Sequence, residues 1–207
     1  MAGRADPDPG ELRSVAAPYV IFGNLVTIGY FFIAASLFLD KDERTIDALV
    51  VTPLPFASYL AAKVTSLTAL SAALALALAV LTHGGSFDPR ALLAGLVPAT
   101  ALVLLVSFTS ATTYTAFTDW LLPSLGWLTA LSLPLLHHSG LWEHPLFSLI
   151  PTHGPLMLLD GAFDQADPTT GQWAYALLYP LVWIGVLGAL AQRSFTRRIV
   201  TGEGTPA

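Results

Sequence analysis

His137, His138, Glu143, His144 and His153 fall close together in the chain and carry the side chains that zinc takes, imidazole and carboxylate. Their spacing matches no closed ligand motif, so no metal is expected, and polar histidines in loops at a membrane surface are the plainer reading. Cysteine is absent, which removes thiol chemistry and disulfides. No Ser-His-Asp order and no paired carboxylates within an apolar run point to hydrolysis. A Gly-x-x-x-x-Gly-Lys-Ser/Thr phosphate loop is missing, so the chain does not itself split a nucleoside triphosphate. Hydroxyls cluster at Ser107, Thr109, Ser110, Thr112, Thr113 and Thr115. Of these, Ser107, Ser110 and Thr113 are candidates to line a substrate path, although such residues more often bond their own helix or pack its neighbours.

The densest charge is the run Asp40-Lys41-Asp42-Glu43-Arg44-Thr45-Ile46-Asp47, followed by Ala-Leu-Val-Val-Thr-Pro-Leu-Pro. Asp40 and Glu43 have the spacing of an N-cap pair, and an acidic first turn suits the helix dipole. Ile46, Leu49 and Val50 stand at i, i+3 and i+4 and form one apolar stripe, while Pro53 ends the helix. A short amphipathic helix over 41–51 is therefore expected. An ordinary interfacial loop helix is the bland alternative.

The elements around these residues are long apolar runs. Of 207 residues, 54% are hydrophobic and only 11% charged, with mean hydropathy +0.65. A soluble domain carries about 25% charged residues, so an all-α integral membrane protein with one membrane domain is expected. The net charge of −5 is small and spread over loops, which gives no nucleic-acid signal. Spans are expected over 18–39, 57–82, 92–115, 121–136 and 173–191, each long or nearly long enough for a hydrocarbon core of about 30 Å. Pro98 lies within the third span, where it is expected to kink the helix. Lys63, early in the second, is expected to reach back to the headgroups. Asp119 is expected to cap the fourth. Residues 1–17 lack the basic start and cleavage site of a signal peptide.

Lysine and arginine placement orients these five spans. Lys41, Arg44, Arg193, Arg197 and Arg198 share one face, with Lys63 close to it, against Arg4, Arg13 and Arg90 on the other. The charged run and the C-terminus are expected in the cytoplasm and the N-terminus outside. Residues 145–163 fit neither span nor simple loop. Two apolar pieces flank Pro151-Thr152-His153-Gly154-Pro155, and neither is long enough to cross. An outer re-entrant hairpin is expected, with Pro151, Thr152 and His153 at its break, tolerated where protein covers the backbone.

Residues 40–63 resemble the signature of type-2 ATP-binding-cassette exporter permeases, with Glu43, Thr45, Asp47, Thr52, Pro53, Leu54 and Lys63 at the matching positions. Asp47 stands where glutamate is usual and Ile46 where leucine is usual. The break Ile150-Pro151-Thr152-His153 and the closing Phe195-Thr196-Arg197-Arg198 are similar to small drug-export permeases, including fluoroquinolone-export-like subunits. The resemblance implies that Glu43, Arg44, Ile46, Asp47 and Leu49 couple the chain to a separate cytoplasmic ATP-binding subunit. ATP and magnesium would then sit on that partner, with no cofactor here. It further implies a second permease chain, alike or different, facing this one in the lipid of the cytoplasmic membrane, and an outer gate at Pro151, Thr152 and His153. Family permeases carry another span and an amphipathic elbow ahead of the first span found here. Residues 1–17 are expected to form neither, as in a shortened member or a chain whose recorded start is late. An intramembrane metalloenzyme using the histidine set and a non-transporting scaffold are the competing classes.

Overall fold

Proline, glycine and aspartate punctuate the chain, and the helices fall between them. In the computed structural model, residues 9–43, 56–138, 144–163 and 168–195 are described. They form α1 (Pro9–Asp42), α2 (Phe56–His83), α3 (Pro89–Ala111), α4 (Phe117–Ser132), α5 (Pro134–His138), a 3-10 turn (Pro145–Leu149), α6 (His153–Ala162) and α7 (Thr170–Phe195). Every regular element among the described residues is helical, as an all-α membrane protein requires. The turn after α2 uses Gly84 at φ 61°, a left-handed conformation that side chains disfavour. Asp88 then caps α3, its carboxylate accepting from the Arg90 amide at 2.8 Å, with Pro89 at the first helical position.

Among the described residues, four helices have the length and composition to cross a bilayer: Tyr19–Asp42 of α1, then α2, α3 and α7. Their 23 to 28 residues rise roughly 35–42 Å, enough for a hydrocarbon core of about 30 Å. They differ sharply in what surrounds them. In the most apolar window of α3, 72% of residues are buried within the protein, against 17% for α2 and 22% for α7. The α3 helix is therefore the central post, with α1, α2, α4, α6 and α7 packed around it. Because α2 and α7 are apolar on all sides and largely unburied, their outer faces suit lipid.

Several boundaries differ from expectation. The first helix begins at Pro9, so much of the stretch ahead of the first span is helical after all. It also runs through Asp40 to Asp42, which places Asp40 in its last turn rather than at the N-cap of a separate helix. Only the start of the expected helix 41–51 is described, since residues 44–55 lie outside the described set. The third helix stops at Ala111 rather than 115. The fourth occupies Phe117–Ser132, and its 16 residues rise only about 24 Å. Its N-cap is Ala116 without a side-chain bond, so Asp119 serves the first turn only as a charge near the helix dipole. Pro134 starts α5 after a turn at Leu133.

Aromatic stacking joins α1 to α4. Tyr30 lies over Trp120 at 5.5 Å and 22°, and Phe38 meets Phe117 edge-on at 5.7 Å. The polar tips are satisfied, as burial demands. The Tyr30 hydroxyl donates to Ser124 O at 3.1 Å, and Trp120 Nε1 donates to Ser110 Oγ at 2.9 Å. Backbone proximity fixes α6. A Cβ on Gly95 of α3 would stand 2.6 Å from Pro155 O, and one on Gly154 would stand 2.7 Å from Ala176 Cα of α7. Glycine lets α6 wedge between those two helices.

Candidate functional site

The end of the bundle where α1 stops and α2 begins is tied together by charge. Asp40 forms an ion pair with Lys63 and also accepts from the Tyr59 hydroxyl, while Lys63 Nζ donates to that hydroxyl at 2.8 Å. Both charged side chains are about four-fifths covered, at 17% and 20% exposed. A lysine in an apolar helix requires a partner or a path to water. Here Lys63 takes the partner, instead of the headgroup reach expected for it. One residue along, Lys41 Nζ donates to Ala111 O at 3.1 Å and Tyr114 O at 2.8 Å. Ala111 ends α3 and Tyr114 lies three residues past it, where the helix dipole favours a cation.

Residues 44–55 are thus carried between two ends, α1 and α2, that are bolted to each other and to α3. Of the residues expected to couple to an ATPase, Glu43 lies exposed just past α1, its amide donating to Leu39 O at 2.9 Å. Arg44, Ile46, Asp47 and Leu49 lie outside the described residues. Sequence reasoning missed Tyr59 and Lys41. A signal for Tyr59 existed, since it stands at i−4 from Lys63 and shares its helix face.

A groove opens beside this clamp between α2 and α7. Its volume is about 340 Å³, within the range of small-molecule pockets of roughly 300–1,000 Å³. Leu60, Val64 and Thr65 of α2 face Ile184 and Gln192 of α7, with Leu105 of α3 as the floor. Phe56 stacks on Phe195 at 3.9 Å and 19°, closing the nearby gap between the two helices. The hydroxyls expected along a substrate path sit elsewhere. Ser107 is fully buried and bonds Tyr30 O, Ser110 holds Trp120, and Thr113 donates to Ser110 O at 2.7 Å. In this arrangement they join α3 to α1 and α4 and finish its last turn.

At the opposite end the broken segment is strongly held. Thr152 is fully buried and donates to Leu131 O at 2.8 Å, Tyr179 donates to Leu149 O at 2.7 Å, and Tyr175 donates to Ser148 O. Pro151 is half-buried in the turn. His153 meets His137 and His138 with ring centroids 5.2 and 4.9 Å away. His138 pairs with Asp160. Burial, then the neighbouring His138 and His137, push the His153 pKa down from 6.5 to about 4. His144 caps the 3-10 turn, accepting from the Leu146 amide at 3.3 Å, and Glu143 lies outside the described residues. Among the described residues no group of three His, Asp or Glu side chains is placed to hold a metal.

Relatives add what geometry alone does not. The family model for the fluoroquinolones export permease protein family matches residues 5–203. A fluoroquinolones export permease protein of Mycobacterium tuberculosis strain CDC 1551 / Oshkosh is 44% identical over 199 residues, covering 96% of this chain and 84% of that protein. The corresponding protein of strain ATCC 25618 / H37Rv matches to the same extent. No solved structure matches. With the family model spanning nearly the whole chain and four bilayer-length helices in the fold, the chain belongs to the fluoroquinolones export permease protein family.

Proposed function

We propose that this chain is the transmembrane permease subunit of an ATP-binding-cassette exporter in the cytoplasmic membrane. It moves a small molecule outward, of the fluoroquinolone class that its relatives' names give. A separate cytoplasmic subunit binds ATP and magnesium and hydrolyses the nucleotide, and a second permease chain completes the path. The observation that carries this reading is the clamp of Asp40, Tyr59, Lys63 and Lys41 at the base of the charged island. A segment pushed by an ATPase transmits force only if its ends are fixed to the spanning helices. Here the force would enter α1, α2 and α3 together. The groove between α2 and α7 opens toward the same end and suits uptake of an apolar, flat molecule from the inner leaflet. On the far side the broken segment 145–163 acts as a re-entrant outer gate around Pro151, Thr152 and His153.

Charge reversal in the island tests the reading. Glu43→Lys with Asp47→Lys leaves the spanning helices untouched, so the chain still inserts. Like charges then face the basic groups of the partner, and charge pairs set register at such contacts. A soluble ATPase should co-purify with the wild-type chain in mild detergent; with the double variant it should be lost or no longer stimulated by substrate, and export should stop. Unchanged transport and unchanged co-purification in the double variant would exclude the island as the coupling element.

A further inference from the structure

Three imidazoles meet beside the broken segment, two from α5 and one from α6. Their ring centroids are 4.9, 5.2 and 5.7 Å apart. Nδ1 of His137, Nε2 of His138 and Nδ1 of His153 are all buried, and none has a hydrogen-bond partner. Among the described residues the anion in contact is Asp160, on α6, which takes Nδ1 of His138; the two side chains are 10% and 12% exposed. Other polar groups nearby are neutral or committed. Tyr175 of α7 stands 6.5 Å from His153, and Tyr19 of α1 lies near enough to sense the Asp160 charge. Asp88, heading α3, caps Arg90, and His144 holds the Leu146 amide. Among the described residues, one carboxylate is in contact with the three imidazoles.

We propose that His137, His138, His153 and Asp160 form a proton-sensitive switch in which the pairing of His138 with Asp160 holds α6 against α5. A proton on His153 drives the two helices apart. It places a charge about one ring-width from two other imidazoles, and the one carboxylate in contact among the described residues is already taken by His138. Among the described residues no three His, Asp or Glu side chains are set around one point to hold a metal ion. The sign follows from His153. Its pKa is 6.5 when free and about 4 when packed, so the parted state binds more protons. The packed state is at full strength above pH 6.5 and is lost progressively as pH falls toward 4. This inference stands independently of any ATPase partner.

The native chain has no cysteine, so a reporter can be placed cleanly. Thr152→Cys and, separately, Leu156→Cys report on α6, since both positions are fully buried. Each is measured in nanodiscs by the rate of methanethiosulfonate labelling, divided at every pH by the rate of the exposed Ser86→Cys. A one-proton opening shifts up to tenfold per pH unit, so the normalised rate should rise at least about tenfold between neutral pH and roughly pH 4.5. Adding His153→Gln, or His137→Gln where that variant folds better, should flatten the rise. Asp160→Asn should move it to higher pH by removing the counter-charge. A flat wild-type profile, or one that the histidine variants leave unchanged, overturns the proposal. Protection by zinc at neutral pH that His153→Gln abolishes would show a metal site instead, and overturns it equally.

Discussion

At Asp40 one carboxylate serves two donors on α2, the Lys63 ammonium and the Tyr59 hydroxyl, while the next residue closes the end of α3. Hydrogen bonds to charged groups contribute more than neutral ones, about 1.5–3 kcal/mol, and one-fifth exposure reduces that through solvent screening. Asp40→Asn or Lys63→Met should therefore cost about 2 kcal/mol, read as a lower unfolding temperature in detergent. The exchange Asp40→Lys with Lys63→Asp should recover part of the loss, because the two positions still face each other. A swap no better than the worse single variant would show that the pair does not couple. The chain itself announces a lysine in an apolar helix and an acidic run before it. It does not announce their pairing, because residues 23 apart meet only once the packing of α1 on α2 is known. The same holds for the histidines, which scatter over loops in sequence. Folding gathers three of them and sends His144 to a helix cap.

Helices were more readable than contacts between them. Apolar runs locate α1, α2, α3 and α7 to within several residues, since a lipid-facing helix is apolar on every side. Proline spacing also marks the break in 145–163, which falls between Leu149 and His153. The bounds of the short α4 and the burial of α6 were not legible. Both depend on neighbours, and α6 reaches its place only because Gly95 and Gly154 lack side chains. Gly154→Ala would press a methyl against the Ala176 backbone, which cannot yield as a flexible side chain would. Overpacking of this kind costs about 1–3 kcal/mol. Gly126→Ala, in α4 with nothing within 4 Å of its new Cβ, should be neutral or stabilising by up to about 1 kcal/mol. Thermal unfolding of the two variants side by side checks this, and equal effects would rule out the wedge.

Across the whole molecule the path of the chain is fixed by contacts at both ends. Lys41 joins the end of α1 to the end of α3, and Phe38 meets Phe117 at the start of α4. At the far end Thr152 bonds Leu131 near the end of α4, and Gly154 touches Ala176 near the start of α7. The chain therefore travels from the island end to the histidine end along α4. It stays there through α5, the 3-10 turn and α6, then returns along α7. At 16 residues α4 is shorter than a bilayer core, but α5 continues beyond it and neighbouring helices cover part of its face. The end of α7 therefore lies beside the clamp, where Phe195 stacks on Phe56. Lys41, Lys63 and Arg193 lie at that end, and lysine and arginine bias makes the cytoplasm the side expected for it. A tag at Ala207 should resist protease added to intact cells, and one at Met1 should be cleaved. A re-entrant path for 145–163 predicts that single cysteines at Leu149 and Leu158 label from outside or are shielded together. If both termini prove cytoplasmic, or if the two cysteines label from opposite sides, the broken segment spans the membrane and the five-passage path fails.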